Sequence, residues 1–167
     1  MRSSGNHGEC GPSIGRIVSG GQTGADRAAL DYALAAGIPH AGWCPRGRMA
    51  EDGRIDSRYR LAETPDRDYA QRTEWNARDS DGTVIFSIAA TLSGGSAFTR
   101  AAARRHDKPC LCLSSERFDP VNAANALRSF VIGNDIDRIN IAGPRASSEP
   151  GIGAFVRQVL EIAFGAK

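Results

Sequence analysis

Short apolar runs bounded by turn residues alternate along this chain with longer segments whose apolar positions recur every three to four residues. The first run, Ile14–Val18, ends in a glycine-rich loop. A helical pattern follows over Ala25–Ala36, and a second extended run covers Ile38–Trp43, which together make a βαβ unit. The stretch from Pro45 to about Pro65 is polar, charged and without a clear period, and irregular stretches of that length often carry function. Helical spacing resumes over Asp68–Arg78, Asp81-Gly82 turns the chain, and Thr83–Ile88 is extended. A second glycine loop at Ser93–Ser96 opens a helix to about His106, before another strand at Lys108–Leu113. A helix over Pro120–Ile132, a strand at Ile139–Ala142 and a last helix over Pro150–Phe164 complete the series. In that last helix Ile152, Phe155, Val156, Val159, Leu160 and Ala163 make one apolar stripe.

Such alternation predicts an α/β protein: a Rossmann-like three-layer sandwich with a mainly parallel sheet and helices on both faces, because parallel strands need crossovers and right-handed crossovers place helices outside. In sheets of this kind ligands bind beyond the carboxyl ends of the strands, at the switch point of strand order. Residues 1–13 carry Gly, Ser, Asn and Pro without periodicity and read as a disordered tail, leaving 14–167 as a single domain.

The 167 residues, 41% hydrophobic and 24% charged, with 21 Lys+Arg against 19 Asp+Glu, suit a soluble globular chain and not a disordered or fibrous one. The near-neutral balance offers no field for duplex DNA or an anionic membrane, so neither nucleic acid nor membrane is expected as a partner. No apolar run approaches the roughly 20 residues that span a bilayer, and the polar opening lacks a signal-peptide core, which points to the cytoplasm. Cys10, Cys44, Cys110 and Cys112 show no CxxC spacing, so a zinc site is not expected. Alternation places the Cys110 and Cys112 thiols on one face of a strand, where they read as small buried hydrophobes in a reducing compartment.

Three loops carry the candidate chemistry. In Ser19–Asp26, Gly20, Gly21 and Gly24 remove Cβ atoms where the backbone turns sharply before a helix N-terminus that favours anions, and Gln22 and Thr23 add side-chain hydrogen bonds. The spacing is neither G-x-G-x-x-G nor a P-loop. Asp26 complements the helix dipole or accepts hydrogen bonds from a ribose or pterin N–H. Leu92–Thr99 repeats the strand, glycine, helix context, with Gly94 and Gly95 at the turn and hydroxyls on Ser93, Ser96 and Thr99. In Asn140–Ser147, Arg145 is placed to clamp a phosphate or molybdate oxygen. Thr73, Asn76 and Ser80 share one helical face and suggest a ligand wall. Arg46, Arg48, Glu51 and Asp52 are placed to line the same crevice; Glu51 and Asp52 offer weak support for Mg²⁺, and exposed loop charges explain them equally well. Arg100 and Arg104 read as a solvated helix face.

Taken together, SGGQTGAD at 19–26, GWCPRGRMAEDG at 42–53, RTEWNARDSDGTVIF at 72–86, LSGGSAFT at 92–99 and INIAGPRAS at 139–147 resemble the molybdenum-carrier family. This is a circularly permuted branch of the SLOG superfamily, related to YpsA and to the LOG-type nucleoside-monophosphate phosphoribohydrolases. The resemblance implies a Rossmann-like fold, a homo-oligomer (dimer or tetramer), and a pocket for a small phosphorylated ligand, either the molybdenum cofactor (molybdopterin) or a nucleotide. It also implies molybdoenzymes as cofactor acceptors. LOG-type hydrolases are similar in carrying P-G-G-x-G-T-x-x-E. Here Thr99 stands for the threonine, but Ala102 occupies the glutamate position and no Glu occurs between Ser93 and His106. N-glycosidic cleavage needs a carboxylate, so hydrolysis requires Asp26, Glu51 or Asp52 to substitute, and binding without turnover is the expected activity. The rival expectation is a SLOG-type nucleotide sensor or hydrolase.

Overall fold

A computed structural model describes residues 11–165. Residues 1–10, most of the expected tail, lie outside them, as does Cys10. In chain order the elements are β1 (Arg16–Val18), α1 (Ala25–Ala36), β2 (His40–Ala41), β3 (Trp43–Cys44), β4 (Met49–Ala50), β5 (Gly53–Arg54), β6 (Ala62–Glu63) and α2 (Tyr69–Arg78). They continue with β7 (Gly82–Ser87), α3 (Gly94–Arg105), β8 (Cys110–Ser114), α4 (Pro120–Gly133), β9 (Arg138–Ala142) and α5 (Ile152–Phe164).

Five strands form one sheet in the order β2-β1-β9-β7-β8. Every pairing is parallel, with Ile17 opposite Ile139 and Val84 opposite Ile141 at its centre. The connections β1-α1-β2 and β8-α4-β9 run toward one edge, whereas β7-α3-β8 runs toward the other, so right-handed crossovers put α1 and α4 on one face and α3 on the opposite one. The packing agrees: α5 lies against α1 and α4, and α2 lies against α3. The Rossmann-like α/β sandwich expected from the alternation is the observed architecture.

The main core fills the α1/α4/α5 face. Ile17, Val84, Phe86, Ile139 and Ile141 point at the stripe of α5, and Phe86 meets Phe155 edge-on with centroids 5.9 Å apart. All six expected stripe residues of α5 are buried. Helix ends follow local chemistry. Asp68 and Asp119 cap α2 and α4 by accepting from Ala70 N and Asn122 N, and Gly37 closes α1 in the left-handed conformation.

The extended run expected over Ile38–Trp43 is split. His40–Ala41 joins the main sheet, but at Gly42 the backbone crosses so close to Ser19 that a Cβ would lie 1.9 Å from the Ser19 carbonyl oxygen. The chain is diverted there, and Trp43–Cys44 pairs with Ala62–Glu63 in a separate two-stranded sheet. The irregular stretch 45–65 is held by a small second core of Leu30, Cys44, Ala50, Ile55 and Tyr59. Arg48, at φ +55°, organises it by donating to the carbonyls of Ile55, Leu61, Asp56 and Tyr59 at 2.8–3.1 Å.

Candidate functional site

Neighbouring strands β9 and β7 leave the sheet toward opposite faces, β9 to α5 and β7 to α3, and at that divergence a cavity of about 290 Å³ opens above the strand ends. This is the switch-point location expected for ligands in open α/β sheets, and the volume lies at the small end of the roughly 300–1,000 Å³ typical of small-molecule pockets. One wall is the start of α3. Another is α2, through Tyr69, Arg72, Thr73 and Asn76; the floor comes from Ser87 and Asn140; and the segment 143–149 closes the remaining side.

The first glycine loop is already occupied by its own carboxylate. Asp26, 6% exposed, accepts from Gln22 N at 3.3 Å and lies 3.8 Å from the Arg72 guanidinium, which itself donates to Gly20 O at 2.7 Å. Burial pushes the Asp26 carboxyl up from its ordinary value, against the opposing pull of Arg72 and the Gln22 N–H. Further donors in the loop are used internally, Thr23 N on the Gln22 side chain and Ala25 N on Pro144 O. Gly20, Gln22 and Asp26 line the cavity, but Gly21, Thr23 and Gly24 do not. A Cβ at Gly21 would point into Ile55 and Leu61, and one at Gly24 would strike Pro144 O at 2.5 Å. Thr23 donates to Glu51 and accepts from Ala146 N at 3.1 Å. These three residues hold the loop against its neighbours.

The second glycine loop is open. Gly94 and Gly95 begin α3, so their N–H groups lack intrahelical acceptors. A Cβ on either would meet nothing within 4 Å. Ser93, the N-cap residue, makes no side-chain cap bond, Ser96 lines the cavity, and the Thr99 hydroxyl donates back to Gly95 O at 2.8 Å. Across the opening, Arg145 stacks on the Tyr69 ring at 5.5 Å, and Arg72 on the same ring at 5.1 Å. Arg145 forms no ion pair among the described residues.

Asn76 lines the wall, but its amide is committed: Oδ1 accepts from Trp43 N at 2.7 Å and Nδ2 donates to Trp43 O at 2.9 Å, so it pins β3 to α2 like a strand partner. Ser80 donates to Asn76 O and stays off the lining. Arg46, Arg48, Glu51 and Asp52 do not line the cavity. Asp52 pairs with Arg27 at 3.0 Å, and Glu51 accepts from Thr23 and Ser147, which hold its carboxyl below the usual range. The two carboxylates therefore serve separate partners, and no cluster of metal-ligating side chains occurs among the described residues.

Arg72, Tyr69 and Glu149 belong to the cavity and were not singled out by sequence. Arg72 lies one helical turn before Asn76, so the spacing that flagged Asn76 applied to it equally. Glu149, which accepts from Ile88 N, follows the Arg145 turn with no periodic signal.

The model of the circularly permutated YpsA SLOG family matches residues 17–164. The chain belongs to this family. A crystal structure of a protein from Syntrophus aciditrophicus SB, named as a candidate molybdenum carrier protein, is 47% identical and superposes with a TM-score of 0.90, covering 92% of this chain and 96% of its own. Comparison with curated proteins gives no match. The family's permutation is visible in the sheet: numbering the main strands from β7 through the chain ends turns β8-β7-β9-β1-β2 into the order 2-1-3-4-5, that of flavodoxin-like folds.

Proposed function

We propose that this SLOG-family protein is a carrier that holds the molybdenum cofactor, or a related phosphorylated pterin, in the switch-point cavity without turnover. The observation that carries the reading is the open start of α3, where unpaired N–H groups and Cβ-free space at Gly94 and Gly95 face Arg145 across one opening. A phosphate suits that end: it takes the N–H groups of Gly94 and Gly95, the hydroxyls of Ser93 and Ser96, and the Arg145 fork. The ring system then lies toward Asp26, with Gln22, Gly20 and Asn140 around it, and Asp26 accepts from ring N–H groups. Thr99 and Asn76 support the walls. Among the described residues the lining contains no Cys or His, so a bound cofactor's own dithiolene would ligate the metal while the protein binds and orients the pterin. Ala102 at the hydrolase glutamate position supports binding over hydrolysis. The Syntrophus neighbour's name supports the molybdenum assignment.

One observation favours a second reading, a nucleotide sensor or nucleoside-monophosphate hydrolase: Asp26 and Glu149 place two carboxylates on the same lining. Native mass spectrometry of gently purified, anaerobically handled protein separates the two. A bound mass matching a pterin dithiolene, with or without molybdenum, is expected. A nucleotide mass, or release of free base at catalytic rates from a nucleoside-monophosphate panel, would overturn the carrier reading. A cytoplasmic homo-oligomer, dimer or tetramer, delivering to molybdoenzymes completes the proposal, and the same spectrum reads the subunit number. No helix among the described residues is long and apolar enough to cross a membrane.

A further inference from the structure

Arg145 sits in the connection between β9 and α5, outside any helix or strand, with its guanidinium stacked on the Tyr69 ring. That connection is held by a carboxylate that stays off the cavity lining: Glu51, in the turn between β4 and β5. The Glu51 carboxylate accepts from the Ser147 N–H at 3.2 Å, from the Ser147 hydroxyl and from the Thr23 hydroxyl. Thr23 Oγ1 in turn accepts from Ala146 N at 3.1 Å. Both amides that follow Arg145 are therefore fixed, Ser147 N by Glu51 directly and Ala146 N through Thr23. Glu51 is seated by its own N–H, which donates to Gln22 Oε1 at 2.9 Å. On the other side of Arg145, Pro144 O accepts from Ala25 N at 3.3 Å, and Arg145 O accepts from Ser148 N and Glu149 N at 3.1 Å.

We propose that Glu51 is a positioning residue for anion binding: its carboxylate clasps the backbone behind Arg145 and so presents the guanidinium to a phosphate group at the start of α3. This role rests on the reading that the start of α3 takes the phosphate. A carboxylate near an anion-binding arginine opposes the anion by charge alone, so Glu51 favours binding only through what it fixes. An arginine on a free loop loses backbone and rotamer freedom when it closes on a ligand, whereas one on a clasped turn has lost much of it already. Charge and positioning therefore predict opposite signs when Glu51 is removed. Tyr69 sets the direction of the side chain, and Glu51 sets the backbone from which it starts.

The probe is inorganic phosphate, titrated into the full-length chain at low salt and followed by phosphorus NMR. Arg145→Gln should weaken phosphate binding, which checks the phosphate end by itself. Glu51→Ala is expected to weaken it about fivefold, within the coupling range of side chains that share a hydrogen-bond network. Added to Arg145→Gln, it should bring no further loss, because nothing is left to position; a general loosening of the fold would weaken both backgrounds alike. Amide exchange at Ala146 and Ser147 should rise in Glu51→Ala with or without phosphate. Ser147→Ala removes one donor from the same clasp without changing charge and should shift affinity in the same direction by less, so the sign is read even if Glu51→Ala fails to fold. Phosphate affinity unchanged or tighter in the Glu51 and Ser147 variants, with Arg145→Gln still weak, would overturn the clasp alone. An Arg145→Gln variant that binds as the parent does, or a parent that takes up no phosphate, would overturn the phosphate end and the clasp with it.

Discussion

Burial of the Asp26 carboxyl beside Gly20, Gln22 and Arg72 has a cost that depends on pH. Desolvation dominates over the Arg72 charge, so the folded-state pKa lies above the ordinary value of 3.8. A group raised in this way contributes stability that is fully present below its unfolded pKa and is lost as pH rises through the folded one. Asp26→Asn keeps the shape but never ionises, and it escapes that loss. The stability of the variant relative to the parent is therefore expected to rise as pH increases above the ordinary carboxyl value of 3.8, measured by urea unfolding at each pH; parallel curves would show that Asp26 does not titrate abnormally. The same substitution leaves the start of α3 untouched, so it should alter recognition of a ring and spare the affinity for inorganic phosphate.

The two glycine loops look alike in sequence and differ as elements, and their difference yields opposite outcomes for the same chemical change. Gly95→Asp adds a carboxylate to the open first turn of α3. The helix dipole there should hold or raise stability by about 0.3–1 kcal/mol, while the added charge occupies the phosphate end and should abolish binding of a phosphorylated ligand. Gly21→Asp instead forces a Cβ to 2.7 Å from Leu61 Cδ1 at φ +80°, and overpacking of this kind costs about 1–3 kcal/mol. Thermal unfolding of the pair, with ligand titration of whichever remains folded, checks both; equal destabilisation would contradict the assignment of the open loop. The element pattern itself was legible, with α1 spanning Ala25–Ala36 as the periodicity gave and α2 beginning at its Asp68 cap. The loops' placement was legible too, because strand-glycine-helix junctions in a parallel sheet gather at one edge. What could not be read was occupancy. Nothing in S-G-G-Q-T-G-A-D says that the aspartate folds back on Gln22 N of its own loop, and the arrival of Arg72 from α2 beside it depends on a contact between residues 52 apart in the chain. Gly42 marks the same limit: its role follows from a close crossing of Ser19, and that is a property of the assembled sheet.

At the scale of the whole molecule, the cavity is built from strand ends and helix starts whose positions depend on the sheet and not on where the chain begins. Gly11 lies beside the end of α5, its Cβ position 3.8 Å from Ala163 O, so the first and last described segments are neighbours. The segment 65–68 before α2 is exposed and lies far along the chain from β1 and β9. Joining the ends through a flexible Gly/Ser linker and reopening between Arg67 and Asp68 would preserve every pairing of the main sheet, every crossover hand and the α1/α4/α5 core, and would convert the strand order to 2-1-3-4-5 along the new chain. Such a permutant is expected to fold with the same far-ultraviolet dichroism, to unfold cooperatively, and to bind whatever ligand the parent binds with an affinity within about tenfold, since no lining residue moves relative to its strand. The cost should fall on the cut itself, where Asp68 N loses its hydrogen bond to the Asp66 carboxylate, worth about 0.5–1.5 kcal/mol, while the Asp68 side chain still caps α2. A permutant that folds but loses the ligand would mean that the site depends on the order in which its walls assemble or on the segment 65–68; retained binding would show that the switch point alone carries the site.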